Sequence, residues 1–110
     1  MKPKITTAQL LSLNKLLTNL KKFSEGGFGN INEVEVLSYK PMEKNLYLKF
    51  EKIYSESGNI KVEHQIAEIN NVGDINFIEK NFKDIFQRSA FFSECTKIDI
   101  NNPNDYEKID

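Results

Sequence analysis

The sequence has no tryptophan, one cysteine, one histidine and no long apolar run. A lone Cys95 cannot form an intramolecular disulfide, which fits a reducing compartment or a virion interior. No stretch approaches the roughly 18 apolar residues that indicate a transmembrane helix. The segment behind the N-terminal lysines is amphipathic, which argues against a cleaved signal peptide. We therefore expect no membrane partner.

The scarcity of histidine and cysteine limits the chemistry that the chain can support. His64 would need Cys95 or a carboxylate as a catalytic partner, yet it alternates in phase with Ile60 and Val62, which predicts a buried structural histidine. No base is placed to activate the thiol, and one histidine and one cysteine are too few for an ordinary zinc site. Alternating glutamates are more typical of a solvated strand face than of a cation site: Glu33, Glu35, Glu43 and Glu51. We expect no enzyme activity, catalytic residue, metal, cofactor or small-molecule substrate.

Length and composition indicate one globular domain over residues 1–110. A chain of 110 residues can bury one core, and 39% hydrophobic with 28% charged residues lies on the folded side of the boundary with disorder. The net charge of −1 gives no general attraction to nucleic acid or anionic lipid. The abundance of asparagine, lysine and isoleucine is typical of AT-rich genomes, as in many bacteria and their phages.

The charges are distributed unevenly between the two ends. Residues 1–24 contain five lysines and no acid, whereas residues 93–110 contain five acids and two lysines. We interpret these segments as two solvated ends that attract each other weakly. The alternative is a dipolar molecule whose copies join end to end.

Residues 45–69 form the centre of the predicted fold. Two alternating apolar runs are separated by the glycine-containing segment 55–59, a pattern that predicts a β-hairpin with a loop of about five residues. The apolar phase changes near residues 66–67, which predicts a bulge there. The alternating apolar residues are Leu46, Leu48 and Phe50 in the first arm and Ile60, Val62 and Ile66 in the second.

Two amphipathic helices are predicted on either side of these strands in the sequence. The first spans residues 6–23 and opens with a capping box made by Thr6 and Gln9. The second spans residues 76–92 and opens with another capping box. Each has one apolar stripe at the helical period, formed by Leu10, Leu13, Leu16, Leu17, Leu20 and Phe23 in the first and by Ile75, Ile78, Phe82, Ile85, Phe86, Ser89 and Phe92 in the second.

These elements predict an α+β fold with α-β-β-β-α order. Residues 31–39 supply the first strand, residues 95–100 can add a short fourth strand, and residues 101–110 form an acidic tail. We expect an antiparallel sheet with both helices on one face, because this arrangement buries both apolar stripes. The other face would be solvated or covered by a partner, with three apolar side chains on it or near its rim: Tyr39, Tyr47 and Ile53.

The element order matches that of the double-stranded-RNA-binding domain. That family grips phosphates with a lysine-rich start to its second helix and inserts a Gly-Pro-x-His loop into the minor groove. Here the corresponding segments are the acidic stretch 74–79 and the loop 55–59, which carry neither feature. The sequence resembles that family in element order alone.

Outward-facing apolar and charged side chains predict a non-catalytic role. We predict a protein–protein interaction or structural protein: a small subunit of a larger phage or bacterial assembly, or an inhibitor of a partner protein. Its location would be the host-cell cytoplasm or a virion, and self-association is included in this prediction. The alternative is a nucleic-acid-binding module that uses the lysines of the first helix. The candidate partner-binding residues are Leu11, Lys15, Lys22, Phe77, Phe91 and Tyr106.

Overall fold

The computed structural model describes residues 2–40 and 44–110, so Glu43 lies outside the described residues. The fold is α+β, with a five-stranded antiparallel sheet in the order β5-β4-β3-β2-β6 and a separate parallel pair, β1-β7. The predicted class and antiparallel sheet are confirmed. The elements are β1 Lys4–Thr6, α1 Thr7–Glu25, β2 Gly29–Tyr39, β3 Leu46–Glu56, β4 Asn59–Ile69, β5 Ile75–Phe77, a 3-10 helix Glu79–Asn81, α2 Ile85–Ser93, β6 Cys95–Lys97 and β7 Glu107–Ile109.

The central hairpin of β3 and β4 spans residues 46–69, close to the predicted 45–69, and its pairing is more regular than predicted. The strands pair in continuous register from Leu46 opposite Ile69 to Glu56 opposite Asn59, so the bulge predicted near residues 66–67 is wrong. The register shift lies in β2 instead, between residues 32 and 35. The apolar phase changes along β4 because its C-terminal end is covered on both faces: Ile66 is buried on one face, and Ala67 and Ile69 are buried on the other.

Helix α1 packs on the face formed by the even-numbered residues of β3. Its capping box is confirmed: Thr6 Oγ1 accepts from the Gln9 backbone N–H at 3.1 Å, and Thr6 N–H donates to Gln9 Oε1 at 2.9 Å. The helix buries Leu13 completely. The core on this face consists of Ile5, Leu13, Leu46, Leu48, Phe50, Ala67, Ile69 and Ile98, with Leu10, Leu16, Leu17 and Leu20 packed against it.

Helix α2 contacts the opposite face of the sheet. Tyr47 alternates with Leu48 on β3, so the two side chains point to different faces, and the Tyr47 ring centroid lies 5.2 Å from that of Phe91 in α2. The structure therefore differs from the expectation of both helices on one face. The physical reason is that this end of the second face is also apolar and needs cover. Its core is Leu37, Tyr47, Ile66 and Ile78, with Tyr39, Phe82, Phe91, Phe92 and Cys95 packed against it.

The second predicted helix is much shorter than residues 76–92. Its first part is strand β5, which pairs with residues 67–69 of β4, and the chain continues with a hydrogen bond from Ile78 N–H to the Ile66 carbonyl at 2.9 Å. Helix α2 begins only after Asp84, whose side chain accepts from the Gln87 backbone N–H at 2.9 Å. As a strand, β5 forms hydrogen bonds with backbone groups on the outer edge of β4. Those β4 groups would lack this partner if residues 75–77 were helical, so the pairing overrides the helical period.

The C-terminal residues pack onto the N-terminal segment. The predicted fourth strand is present as β6, which pairs with β2. Residues 101–110, predicted as a tail, end in β7, and Glu107 N–H donates to the Pro3 carbonyl at 2.9 Å. The lysine-rich and acidic ends therefore lie side by side. Neither described helix is long and apolar enough to cross a membrane.

Candidate interaction surface

The outer side of β4 is only partly paired. Strand β3 pairs with all of β4, whereas β5 pairs with residues 67–69 only. Because the Ile66 carbonyl points away from β3 toward Ile78, the alternation of an antiparallel ladder also points the backbone N–H and C=O groups of Ile60, Val62 and His64 outward. Residues 44–110 and 2–40 provide no backbone partner for these outward groups. We call residues 59–65 the open edge.

An exposed apolar strip lies beside the open edge on the face that carries α2. Ile53 pairs with Val62, and Ile60 projects from the same face. Ile60 is 72% exposed and Val62 is 54% exposed, because α2 covers only the other end of this face. We call Ile53, Ile60 and Val62 the apolar strip. Exposed β-branched side chains next to unpaired backbone are typical of a surface that accepts another strand.

Two opposite charges lie on the other face of the open edge. Lys61 is exposed, whereas Glu63 is half-buried. Glu63 accepts a hydrogen bond from the Tyr54 hydroxyl at 2.8 Å, and this bond is the main cause that raises the pKa of Tyr54 above its ordinary value of 10.0. Glu63 therefore holds a fixed position while it retains acceptor capacity toward a further donor.

A groove of about 530 Å³ joins the open edge to the C-terminal half of α1. Phe77 of β5, one of the predicted contacts, is exposed at this groove beside Glu63 and Gln65. Phe23 and Phe50 line its apolar wall. The structure therefore brings Phe77 to the open edge, although the sequence placed it on a helix.

His64 lies among acids rather than in the core. Its side chain is 46% exposed, and its Nδ1 lies 3.9 Å from Glu51 Oε2. The prediction of a buried histidine is wrong because this part of the face has no helix over it. Glu33, at the β2 register shift, completes a group whose possible metal-ligand atoms all lie within 4.8 Å of one another. That spacing alone assigns no ion, and we regard the group as a charged border of the apolar strip.

The other predicted contact residues lie on different surfaces. Leu11, Lys15 and Lys22 are exposed on α1, as expected. The outward orientation predicted for Phe91 is wrong, since its ring stacks on Tyr39 with centroids 4.6 Å apart. Tyr106 is half-buried and donates to the Ile100 carbonyl at 2.9 Å. A partner-binding role for these residues stays a prediction.

Cys95 and His64 do not meet. They lie on β6 and β4, with β3 and β2 between them, and three interstrand spacings amount to about 14 Å. The thiol donates to the Phe91 carbonyl at 3.4 Å, and burial, followed by the charge of Glu94, raises the pKa of Cys95 to about 11. The thiolate is therefore scarce at neutral pH.

Sequence reasoning identified the strand that carries this surface but not its open edge. The sequence signal for this surface is the alternation of apolar Ile60 and Val62 with charged Lys61 and Glu63. The signal is not sufficient by itself, because the exposure of this edge depends on β5 being only three residues long. No protein-family model matches the chain, and no curated protein or solved structure is significantly similar to it.

Proposed function

We propose that the protein is a non-catalytic protein–protein interaction domain that binds an extended segment as an additional strand on the open edge of β4. The observation that carries this proposal is the row of outward backbone groups at Ile60, Val62 and His64. In strand addition, main-chain hydrogen bonds provide affinity and alternate side chains provide specificity. The apolar strip and the pair Lys61 and Glu63 are the side chains that would supply specificity here.

The two edges of the sheet differ in a way that supports this choice. Proteins protect edge strands with bulges, short strands and proline. The β2 edge has such protection, since its register shifts between residues 32 and 35 and Glu33 has a φ of 55°. The open edge of β4 pairs continuously with β3 and contains no proline. The charges on this edge, Lys61 and Glu63, have opposite signs. They therefore favour a strand with complementary charges and do not repel every strand.

The proposed role suits either a structural subunit of a phage or bacterial assembly or an inhibitor that occupies a partner's strand. Its site of action would be the host-cell cytoplasm or a virion. The nucleic-acid alternative gains less support, because Lys21 on the same helix already lies 3.9 Å from Glu25. The exposed Lys15 and Lys22 are a small positive footprint for binding a phosphate backbone.

The decisive variant is Val62→Pro. Proline removes the outward N–H of Val62 and obstructs the open edge, while the bonds between β3 and β4 are kept because they use the odd-numbered residues of β4. Tagged wild type, Val62→Pro and the surface control Leu11→Lys are compared as baits, with circular dichroism to check folding. We expect stoichiometric recovery of a protein, whether another chain or an untagged copy, with wild type and Leu11→Lys, and loss of it with Val62→Pro.

Two outcomes would contradict the proposal. One is a wild-type protein that remains monomeric and recovers no stoichiometric protein from its source cells. The other is a Val62→Pro bait that is folded and recovers the same protein in the same amount as wild type. A loss with Leu11→Lys alone would move the interaction to the outer surface of α1.

A further inference from the structure

We infer that Glu33, Glu51 and His64 form a binding site for a divalent transition-metal ion, with Zn²⁺ as the probe. The three side chains come from three neighbouring strands, β2, β3 and β4, and their possible ligand atoms all lie within 4.8 Å of one another. An imidazole nitrogen with carboxylate oxygens is a donor set that suits Zn²⁺, whereas Mg²⁺ and Ca²⁺ take oxygen ligands. The inference goes beyond the proposed function and does not depend on strand addition.

Strand pairing brings the three side chains together. Glu51 lies opposite His64 in the ladder of β3 and β4, so both project from one face of the sheet. On the other side of β3 the register shifts, and residues 33 and 34 of β2 oppose the single residue 50. Glu33 lies in this bulge, and a bulge changes the direction of a side chain, here toward the other two. The alternation of glutamates in the sequence does not predict this group, because it assumes an unshifted register.

The charges of this group are poorly compensated by the rest of the described chain. Over residues 2–40 and 44–110, neither carboxylate forms an ion pair with a lysine or arginine. Lys49, the preceding residue on the same face of β3, has its Nζ 5.2 Å from the centroid of the Phe92 ring instead. The Glu51 side chain is only 19% exposed. Close like charges and a mostly buried carboxylate are both costly, and a cation bound between the three side chains would neutralise them.

The spacing of the ligand atoms is close to what a metal ion needs. Zinc bonds of about 2.0–2.2 Å place neighbouring ligands of a tetrahedral ion about 3.4 Å apart. His64 Nδ1 already lies 3.9 Å from Glu51 Oε2. Glu33 and His64 are exposed, so little packing opposes the small side-chain rotations that bring the atoms to bonding distance. Three protein ligands leave the fourth tetrahedral position to water.

Isothermal titration calorimetry with zinc chloride tests the site. The full-length chain is used without a purification tag, at about pH 7.5, where imidazole is mostly neutral. Every protein carries Cys95→Ser, so that the thiol cannot bind the ion. We expect one Zn²⁺ per chain with a dissociation constant in about the micromolar range. Magnesium chloride should bind at least about a hundredfold more weakly, because Mg²⁺ prefers oxygen ligands in octahedral geometry.

Single substitutions identify the ligands. Loss of a group that merely supports a metal ligand costs about 10–100-fold in affinity, so loss of a ligand itself should cost at least about tenfold. We expect this loss for each of Glu33→Gln, Glu51→Gln and His64→Ala. Glu35→Gln is the matched control, since Glu35 lies on the same strand but already pairs with Lys97 at 3.5 Å. It should bind Zn²⁺ as tightly as the parent chain.

Thermal unfolding provides a readout that a purely structural role of these side chains would not produce. In EDTA, Glu33→Gln should unfold at a temperature at least as high as the parent chain, because it removes one of two like charges. With Zn²⁺ at about 100 times the dissociation constant, the parent chain should gain about 10 °C. Glu33→Gln should gain about half as much, so the order of the two proteins reverses.

Several outcomes would overturn the metal site. They are a parent chain that binds no Zn²⁺ up to about 1 mM, any of the three ligand variants that binds within about threefold of it, and a Glu35→Gln variant weakened as much as they are. Equally tight binding of Mg²⁺ would also overturn it, because His64 would then have no role. If circular dichroism shows that His64→Ala is unfolded, the exposed Glu33→Gln decides. None of these results changes the expectation for Val62→Pro baits, so the two proposals fail separately.

Discussion

The buried amide of Gln9 shows how a single side chain fixes a helix on the sheet. Its Nε2 donates to the Lys44 carbonyl at 2.6 Å and to the Ile69 carbonyl at 3.1 Å, while its Oε1 accepts from Thr6 N–H. Buried polar groups need such partners, because an unsatisfied buried donor or acceptor costs about 1–3 kcal/mol. Gln9 of the capping box therefore also connects α1 to the segment just before β3 and to the end of β4.

Cys95 gives a pH-dependent signal at the residue scale. Its raised pKa of about 11 means that the folded protein keeps the thiol protonated where the unfolded chain, near 9.0, ionises. Its contribution to stability is therefore complete below pH 9 and decreases as the pH rises toward 11. Thiol-modification rates against pH should give a pKa near 11 for the folded protein and near 9 in denaturant.

A matched variant separates Cys95 from Tyr54, whose raised pKa acts in the same direction. Cys95→Ser should unfold with a smaller loss of stability between pH 9 and 11 than wild type, measured by urea titration at each pH. A folded-state thiol pKa near 9 would show that the side chain is not held among Phe91 and its neighbours as the structure places it.

At the scale of elements, the hairpin of β3 and β4 determines what the molecule presents to others. Its turn consists of Ser57 and Gly58, with φ values of 52° and 82°, a geometry that matches a type I′ turn. The predicted loop of about five residues is therefore too long, since two residues suffice. The short turn lets the paired strands extend far enough for β4 to project past β5.

The turn geometry makes a prediction about stability. Asparagine adopts positive φ more readily than serine, so Ser57→Asn should raise the free energy of unfolding by about 0.5 kcal/mol. Gly58→Ala should lower it by about 1 kcal/mol, and this change reports backbone strain alone because no heavy atom lies within 4 Å of the added Cβ. Urea denaturation with an unchanged m-value measures both. Destabilisation by Ser57→Asn would contradict the two-residue turn.

At the scale of the whole molecule, the parallel pair of β1 and β7 closes the chain. Thr7 Oγ1 donates to Asp110 Oδ1 at 3.1 Å, and the hydroxyl of Tyr106 bonds the Ile100 carbonyl. Tyr106 also packs against the core under α1. The acidic segment is therefore part of the fold, with Lys4 of β1 opposite Glu107 of β7.

Docking of the C-terminal segment can be measured through Tyr106. Tyr106→Ala should lower the free energy of unfolding by about 2 kcal/mol, because it removes a half-buried ring and leaves the Ile100 carbonyl with one partner fewer. Tyr106→Phe keeps the ring and should cost about 1 kcal/mol. Thermal and urea unfolding of both variants provide the comparison. An alanine variant as stable as wild type would mean that the segment does not contribute to the fold.

The sequence by itself determined the features that depend on near neighbours. The capping box of Thr6 and Gln9 and the stripe of α1 follow from spacings of three and four residues, and the alternation in β3 and β4 follows from the period of two. These local patterns suffice for the α+β class and for the exposed position of Leu11.

Only the tertiary structure decided which segments pair at a distance and which face each helix covers. Residues 75–82 have a helical period, but the edge of β4 offers hydrogen bonds that convert the first part into β5. Phe91 turned inward because the face around Tyr39 and Tyr47 is apolar and needed cover. The open edge exists because β5 ends at Phe77. The length of β5 depends on its pairing with another strand, so no local period of the sequence predicts it.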